Sequence, residues 1–522
     1  MRVGIDLGTT FSVAAYCDDN NIPHVITNRD GENTTPSVVM FDEDEVVVGQ
    51  QAKDNVSLEP ENVCQFVKRW MGNKDYLFVT DRGEEYSAED ISARILRRIC
   101  DDCESALNEK VTEAVITVPA YFTDAQRQAT IDAGRIAGLN VLAVINEPTA
   151  AALAYGISEK ENQTVMIYDL GGGTFDVTII KIENGKFNVL ATHGNRNLGG
   201  FDFDNALINN VAARFKSMTN ADIEEDDEAY QALRTNCEKA KIALSSRDKY
   251  RLSVGVQGVK PVKIEITRSE LNEMINPIIM ETEVSVDIAL EDSGLTPRDI
   301  DKVLLVGGST RIPAVVEFIE KKMNMKPSCE LNPDEAVAIG AAIYAKSFTG
   351  TSSAGSGKEP SHGAGEKTPV DGQNGGSNNG QPHIFTDVNS HGLGVVSNNE
   401  FNIATNTIII PRNQPIPTSA AQVFGTTVDN QQLVELQVTE GDDEDLAYVT
   451  IIGTAEIQLR PHPKGSPVRV ELGYDSNGII TGRLYDMVDN VYCGEIVIKR
   501  EENISEEELQ SKAKRIKGEN LQ

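Results

Sequence analysis

Apolar residues in the first 348 positions form short strand-like runs that alternate with longer helix-like stretches. The runs at residues 114–118, 165–168 and 303–306 are apolar and rich in β-favouring side chains. The stretches 124–137 and 229–244 instead place their apolar residues at helical spacing. This alternation predicts an α/β fold for the first two thirds of the chain.

The periodicity changes towards the C-terminus. Residues 434–438, 455–459 and 468–472 alternate or are β-branched, and Asn477 with Gly478 carries the signal of a hairpin turn. These features predict antiparallel β structure in this part of the chain.

Two segments follow neither pattern. Residues 349–383 are dominated by Gly, Ser, Asn and Pro and cannot form a core, so we expect a flexible linker. Near the end of the chain, Ser505 and Glu508 spell a capping box, and Leu509 and Ile516 share one face of the helix that it opens. One short terminal helix is therefore predicted.

Charge disfavours two classes of partner. The 522 residues include 80 Asp and Glu against 48 Lys and Arg, a net charge of -32, and such a chain repels nucleic-acid backbones and anionic lipid. Asp6 stands where the apolar part of a signal peptide would form, and no later run reaches about 18 apolar residues. We expect a cytoplasmic protein that binds neither nucleic acid nor membrane.

Cysteine and histidine give no support to a metal hydrolase. The chain has 7 Cys and 6 His without an H-E-x-x-H motif, and Cys100 and Cys103 form its only C-x-x-C pair. A zinc site of this kind needs a second pair, so both thiols are expected to be core side chains of one helix.

A β-hairpin motif occurs twice. Residues 3–13 and 167–177 each run from an apolar strand through an Asp-Leu-Gly turn into another strand, which places Asp6 and Asp169 at matching positions. A P-loop or a dinucleotide fold would lead into a helix instead. Glycines let backbone amides approach phosphate oxygens, and neighbouring Thr hydroxyls add donors. Two such turns predict a grip on one triphosphate, with a partly hydrated Mg2+ between the aspartates and the phosphates.

A third Gly-rich turn, at residues 306–311, follows another apolar strand and is expected to contact the nucleoside. Glu238, Lys241 and Ser245 recur at i, i+3 and i+7 on a predicted helix. That face could offer polar groups to a ribose and a base.

These motifs together resemble the 70-kDa heat-shock chaperone family, bacterial type, within the actin and hexokinase superfamily. The resemblance is carried by residues 4–10, 118–122, 146–152, 169–177, 306–313 and 332–336. It implies a bilobed actin/hexokinase-like α/β ATPase domain at 1–348, the flexible linker at 349–383, a β-sandwich peptide-binding domain at 384–500 and a truncated helical lid at 501–522.

The resemblance also implies roles for individual residues. Those expected in catalysis are Lys68, Glu147, Asp169 and Thr174. Those expected to bind the nucleotide are Gly8, Thr9, Thr10, Phe11, Gly171, Gly172, Gly173, Gly199, Gly200, Glu238, Lys241, Ser245, Gly307, Gly308, Ser309, Arg311 and Asp334.

Two further sets concern communication and peptide binding. Pro119 and Arg127 match residues that sense the nucleotide, and Phe385 and Asp387 belong to a reduced interdomain linker. Val434 and Leu436, at period-2 spacing on one strand, are the expected peptide-binding residues, and the same spacing also fits a strand that faces the core.

The implied function is that of an ATP-dependent molecular chaperone, in which weak Mg-ATP hydrolysis controls the binding of unfolded polypeptide by the β-domain. Extended apolar polypeptides, a J-domain co-chaperone and a nucleotide exchange factor are the implied partners. Two alternatives share the superfold: a small-molecule kinase, and a nucleotide-dependent scaffold with one dedicated partner. A kinase has no need of the β-domain, and capture of a single folded protein would favour the scaffold.

Several positions depart from the family pattern. The segment 68–118 is short, and Phe201 stands where an acidic residue is expected. The interdomain linker follows a Gly-rich and Ser-rich insertion, and residues 398–402 are mostly polar where a substrate arch is expected. We therefore expect a trimmed peripheral subdomain, loose coupling between the two domains and fast peptide release.

Overall fold

The computed structural model describes residues 1–43, 45–156, 162–184, 186–328, 330, 332–348, 385–399, 401, 403–475, 477–495 and 505–522. The predicted linker at 349–383 lies outside the described residues.

The N-terminal lobe is built on a sheet whose order is β11-β10-β1-β2-β3, with β4 paired to β2. Strands β1, β10 and β11 are parallel, and β2 returns antiparallel to β1. The strands of this lobe are β1 (Arg2–Asp6), β2 (Phe11–Cys17), β3 (Pro23–Val25), β4 (Thr35–Pro36), β5 (Val39–Phe41), β6 (Val46–Val48), β7 (Val63–Cys64), β8 (Phe78–Val79), β9 (Glu85–Tyr86), β10 (Glu113–Val118) and β11 (Asn140–Asn146).

The second lobe repeats this arrangement. Its sheet includes the order β17-β12-β13-β14, in which β12 is parallel to β17 and antiparallel to β13. Its strands are β12 (Gln163–Leu170), β13 (Phe175–Glu183), β14 (Lys186–Asn195), β15 (Lys249–Val254), β16 (Val262–Thr267) and β17 (Lys302–Val306). The two predicted Asp-Leu-Gly hairpins are therefore β1–β2 and β12–β13, one in each lobe.

Helices surround and join the two sheets. The stretches predicted at 124–137 and 229–244 form α3 and α6, and Thr123 caps α3 through a capping box with Gln126. The helices are α1 (Gln50–Asp54), α2 (Ala88–Leu107), α3 (Asp124–Ile136), α4 (Glu147–Gly156), α5 (Gly200–Thr219), α6 (Asp227–Leu244), α7 (Arg268–Ser293), α8 (Pro313–Met323), α9 (Ala336–Ser347) and α10 (Glu506–Gly518).

Helices α4 and α9 hold the lobes together by close backbone contact. A Cβ atom at Gly340 would lie 1.7 Å from the carbonyl oxygen of Ala150, so only glycine fits at this crossing. On the other side of α9, a Cβ at Gly4 would lie 2.1 Å from the backbone nitrogen of Ala342. The hinge region between the lobes is therefore packed backbone against backbone.

The C-terminal part is β-rich. Two four-stranded antiparallel sheets, β20-β19-β23-β24 and β22-β25-β26-β27, share one apolar core, and we call them the β-domain. The strands from Phe385 onward are β18 (Phe385–Val388), β19 (Leu393–Asn398), β20 (Ala404–Ile410), β21 (Pro415–Ile416), β22 (Thr418–Gly425), β23 (Leu433–Glu440), β24 (Thr450–Gln458), β25 (Pro467–Tyr474), β26 (Ile480–Asp486) and β27 (Val491–Glu495).

The first strand of this part pairs with the second lobe. Strand β18 runs parallel to β14, with Phe187 opposite Phe385, and antiparallel to β21. The expected boundary at residue 384 therefore needs correction, since residues 385–388 extend the sheet of the second lobe. The sequence identifies Phe385 and Asp387 only as linker residues, because pairing with β14 depends on the whole fold.

The β-domain also docks directly on the N-terminal lobe. The Ser390 hydroxyl donates to the carbonyl oxygen of Ala120, and the Ile480 amide donates to Asp124 Oδ1 at 2.9 Å. Arg412 pairs with Asp292 of the second lobe at 2.9 Å. The expectation of loose coupling rests on the length of the linker and on its few apolar residues, and it stays a prediction. In the structure these contacts hold the β-domain against both lobes.

The terminal helix α10 packs on the N-terminal lobe, although the sequence suggested a lid. Its predicted apolar stripe is buried there, with Leu509 and Ile516 in the core of that lobe. Lys512 Nζ lies 2.6 Å from Asp90 Oδ2, and the buried Arg94 pairs with Glu519. The stripe was read correctly, but a sequence pattern does not specify the surface that covers it.

Candidate functional site

A cavity of about 380 Å3 lies between the two lobes. All four predicted catalytic residues line it, as does Asp6. Of the predicted nucleotide-binding residues, those lining it are Gly8, Thr9, Thr10, Phe11, Gly171, Gly172, Gly200, Glu238, Lys241, Ser245, Gly307, Gly308, Ser309, Arg311 and Asp334.

The two repeated turns face each other across this cavity. A Cβ atom at Gly172 would lie 2.5 Å from Thr10 Cγ2, and one at Gly173 would lie 2.7 Å from Thr9 Cγ2. Glycine is therefore required where the turns approach. Backbone amides and threonine hydroxyls from both lobes border the same space, as an anion-binding concavity requires.

Two of the predicted glycines, Gly173 and Gly199, lie next to the cavity without lining it. Gly199 packs on the second turn, where its Cβ would lie 2.6 Å from the Gly173 backbone nitrogen. Neither residue is among those lining the cavity. Both allow the turn and the start of α5 to pack closely, so their contribution to the site is indirect.

Lys68 lies among buried carboxylates. Its Nζ is 2.5 Å from Glu147 Oε1, and both side chains are buried. Burial, followed by the neighbouring Glu147 charge, raises the pKa of Asp6 to about 7 and the pKa of Asp176 to about 7. The same two causes raise the pKa of Asp169 well above its ordinary value. The lysine charge opposes these increases but does not cancel them.

The donor set fits a hard divalent cation. Asp6 and Asp169 end strands β1 and β12 at equivalent places, and both carboxylates border the cavity. Oxygen ligands with retained water are what Mg2+ prefers, and its charge would stabilise the ionised form of both carboxylates, which burial and then the Glu147 charge disfavour.

The far end of the cavity carries polar side chains suited to a nucleoside. Lys241 Nζ donates to the Gly200 carbonyl oxygen at 3.0 Å and pairs with Asp204 at 2.8 Å. Arg311 pairs with Asp334 at 2.5 Å, which fixes the third Gly-rich turn beside residues 332–336. Helix α6 and that turn therefore border one space.

Several lining residues were missed from the sequence. Thr34, Asp204 and Ile242 border the cavity without belonging to any predicted motif. Ile312 lies within the motif at residues 306–313 but was not among the residues expected to bind the nucleotide. Ile242 carried a signal, because it is an apolar residue next to the polar face of α6 and is 60% exposed. An exposed apolar side chain at this position can contact the flat face of a base.

The predicted communication residues meet at the docked strand β18. Arg127 Nη2 donates to Asn146 Oδ1 at 2.6 Å, and Asn146 Nδ2 donates to Asp387 Oδ2 at 2.7 Å. Burial raises the pKa of Asp387 to about 6, although the Arg127 charge opposes the increase. Pro119 lies next to this group, directly before Ala120, and the side chain of Phe385 lies outside the described residues.

The two expected peptide-binding residues have different environments. Leu436 is 6% exposed within the core of the β-domain, whereas Val434 is half-buried at the edge of that core. The burial of Leu436 is accounted for by the core, so of the two Val434 is the better candidate for a peptide contact. Phe401 and Ile403, beside the predicted arch, are 81% and 59% exposed.

Comparison with known proteins gives consistent matches along the chain. The family model described as Hsp70 protein matches residues 2–356 and 370–520. Chaperone protein dnaK of Emiliania huxleyi is 38% identical over 537 aligned residues, which cover 97% of this chain and 81% of the relative. Chaperone protein DnaK of Thermus thermophilus is 39% identical over 537 aligned residues, which cover 97% of this chain and 82% of the relative. Stromal 70 kDa heat shock-related protein, chloroplastic, of Pisum sativum is 39% identical over 509 aligned residues, which cover 92% of this chain and 67% of the relative. Within the described part of the chain, no helix is both long and apolar enough to cross a membrane.

Proposed function

Because the chain belongs to the Hsp70 family, we propose that it is an ATP-dependent molecular chaperone. In this proposal, hydrolysis of Mg-ATP between the lobes controls how the β-domain holds extended polypeptide. The observation that carries the proposal is a pair of adjacent residues: Glu147 pairs with Lys68 in the cleft, and Asn146 bonds to Asp387 of the docked strand.

The cleft residues supply positioning and charge for phosphoryl transfer. Lys68 would offset the charge of the terminal phosphoryl group, and Glu147 would orient the attacking water by accepting its hydrogen bond. The Thr174 hydroxyl, which borders the same cavity, would donate to this phosphate. Bound between Asp6 and Asp169, Mg2+ would supply further neutralisation of phosphate charge. Little covalent chemistry is required of the protein, so the proposed catalytic residues act by positioning and by charge.

The route from cleft to β-domain has two hydrogen-bonded branches. In the first, Asn146 links Glu147 to Asp387. In the second, Asp176 Oδ1 accepts from the Tyr121 amide at 3.1 Å, while a His391 ring nitrogen lies 3.2 Å from the Tyr121 carbonyl oxygen. A shift of the catalytic carboxylates would therefore be felt by the residues that hold the β-domain in place.

The β-domain suits extended apolar segments. Phe401 and Ile403 are exposed next to each other, and Val434 adds a half-buried apolar side chain on the same domain. We propose such segments as substrates, and a J-domain co-chaperone and an exchange factor as partners. A cytoplasmic location stays a prediction.

The release of a fluorescent extended apolar peptide tests this proposal. After loading in ADP, excess ATP should accelerate release at least about tenfold in the wild type, because ATP changes which arrangement of the domains is populated. The Asp387→Ala variant should lose this acceleration while still binding ATP. Equal release rates with ATP and ADP in the wild type would contradict the proposal.

A further inference from the structure

An aromatic cluster bridges the lobes beside the cavity. Phe201, from the start of α5 in the second lobe, meets Phe66 of the N-terminal lobe edge to face, with ring centroids 4.8 Å apart. The guanidinium carbon of Arg69 lies 4.6 Å from the Phe201 centroid, and that of Arg234 lies 5.0 Å away. Phe201 is thus contacted from both lobes, and we call Phe66, Arg69, Phe201 and Arg234 the aromatic latch.

The N-terminal half of the latch is held in place at a conformational cost. Phe66 has a φ of 58°, in the left-handed region that bulky residues rarely adopt. That geometry directs the chain into the 3-10 turn Val67–Trp70, which carries both Lys68 and Arg69. The latch and the proposed catalytic lysine therefore share one short rigid segment.

The latch is also attached to the second phosphate turn. The Phe201 amide donates to the Gly172 carbonyl oxygen at 2.7 Å. Arg69 packs against the same turn, since a Cβ at Gly173 would lie 3.3 Å from Arg69 Cδ. Separation of the lobes would therefore pull the latch apart and disturb the turn that faces the phosphates.

A second contact between the lobes is of a different kind. Lys53 Nζ pairs with Glu238 Oε1 at 2.8 Å, an ion pair with both side chains only partly buried. Such a pair weakens as salt rises, whereas ring contacts respond much less. Arg69 also forms a long ion pair with Asp202 at 3.5 Å, in addition to its contact with the Phe201 ring.

We propose that Phe201 is a positioning residue that keeps the cleft closed and limits the rate of nucleotide release. The inference rests on the proposed nucleotide site, and it assigns to the aromatic ring a role that an acidic residue at this position would fill with an ion pair. Phe201 touches neither reacting group, so it acts through closure of the lobes.

The test is the release of a fluorescent ADP analogue from the full-length chain by stopped flow. Phe201→Ala and Phe201→Leu should each accelerate release about tenfold, the scale of losing two partly exposed cation–π contacts. The Leu variant keeps apolar volume and guards against a folding defect. Single-turnover hydrolysis of bound ATP should stay within about twofold, which separates positioning from catalysis. Tyr448→Ala, an exposed aromatic far from the cleft, is the control.

A salt series adds a readout that a merely structural role would not change. From about 0.05 M to about 0.5 M KCl, release from Phe201→Glu should accelerate more steeply than release from the wild type, because an ion pair then replaces the ring contacts. Wild-type release rates in both Phe201→Ala and Phe201→Leu would overturn the inference while leaving the nucleotide site standing. Failure of the wild type to bind the analogue would overturn the proposed function together with the inference.

Discussion

Asn146 and Asp387 are 241 residues apart in the chain, yet the Nδ2 of one donates to the Oδ2 of the other at 2.7 Å. Asn146 is the last residue of β11, and the next residue, Glu147, begins α4 and pairs with Lys68. The hydrogen bond therefore joins the strand that docks the β-domain to the backbone that carries a proposed catalytic carboxylate. It gives the proposed coupling between hydrolysis and peptide binding a specific physical route.

Lys68 is the residue on which the proposed hydrolysis depends most. Lys68→Ala should leave Mg-ATP binding largely intact and slow single-turnover hydrolysis by at least about a hundredfold, because one preorganised charge is lost where negative charge develops. Lys110→Ala, at an exposed position, is the control. Unchanged hydrolysis in Lys68→Ala would remove this lysine from the catalytic set.

Trp70, the only Trp, offers a direct signal of nucleotide binding. It lies in the same 3-10 turn as Lys68 and stacks on Tyr76 at a centroid distance of 5.0 Å. We expect its fluorescence to change on titration with ATP, since any adjustment of Lys68 moves this turn. A flat titration at saturating ATP would argue against this segment taking part in binding.

The repeated hairpins show which part of the site is predictable from sequence. The Asp-Leu-Gly turns have a local pattern, and the structure places both at one cavity. Thr34 and Asp204 border the same cavity but have no local pattern, because the fold alone brings them there. Close packing of distant chain segments determines which polar residues face the site.

The C-terminal part illustrates the same limit. Periodicity predicts a helix at α10 and strands around β23, and both are present. The surface on which α10 packs depends on contacts such as the one between Lys512 and Asp90, which are 422 residues apart in the chain. Hydrophobic period identifies a face that will be buried, whereas its partner is determined by the whole fold.

Glu440 makes docking of the β-domain sensitive to pH. Burial, then repulsion from Asp124, raises the pKa of Glu440 to about 8, while Arg196 and Arg127 oppose the increase. Tyr474 also faces it and is neutral over this range. Glu440 holds its proton more tightly when the β-domain is docked. Its contribution to docking is therefore fully present below the ordinary glutamate pKa and is lost as the pH rises through about 8.

Between pH 6.5 and 8 the cleft carboxylates Asp6 and Asp176, whose pKa values are raised to about 7, titrate together with Glu440, so a Glu440 variant is needed to assign the effect. Burial lowers the pKa of His391 to about 3, so this histidine makes docking stronger as the pH rises towards the ordinary histidine pKa. Above that pH its contribution no longer changes. The pKa of Asp387, raised to about 6, also makes docking weaker as the pH rises. Its effect is complete at a lower pH than that of Glu440. The docking constant should fall by at most about tenfold per pH unit in this window.

Small-angle scattering provides the measurement for this prediction. The radius of gyration of the wild type with bound ATP should increase across the window as the domains separate, whereas Glu440→Gln should show a much flatter profile. Glu435→Gln, on the exposed face of the same strand, should behave as the wild type. A profile in Glu440→Gln as steep as in the wild type would assign the effect to another group.

Val434 distinguishes a peptide groove from a core. Val434→Asp should weaken binding of a labelled extended apolar peptide, measured by anisotropy, because a charge would line the groove. The buried Leu436→Asp should instead lower the thermal unfolding midpoint. If Val434→Asp unfolds the β-domain as well, its side chain belongs to the core and the groove lies elsewhere.

The central claim is that peptide and nucleotide communicate through the docked strand, and single-turnover ATP hydrolysis with and without an extended apolar peptide tests it most directly. If the docked strand carries the signal, peptide should accelerate hydrolysis a few-fold in the wild type. The Asp387→Ala variant should then hydrolyse ATP at the same rate with and without peptide. An unstimulated wild type, or a stimulation that survives in Asp387→Ala, would contradict it.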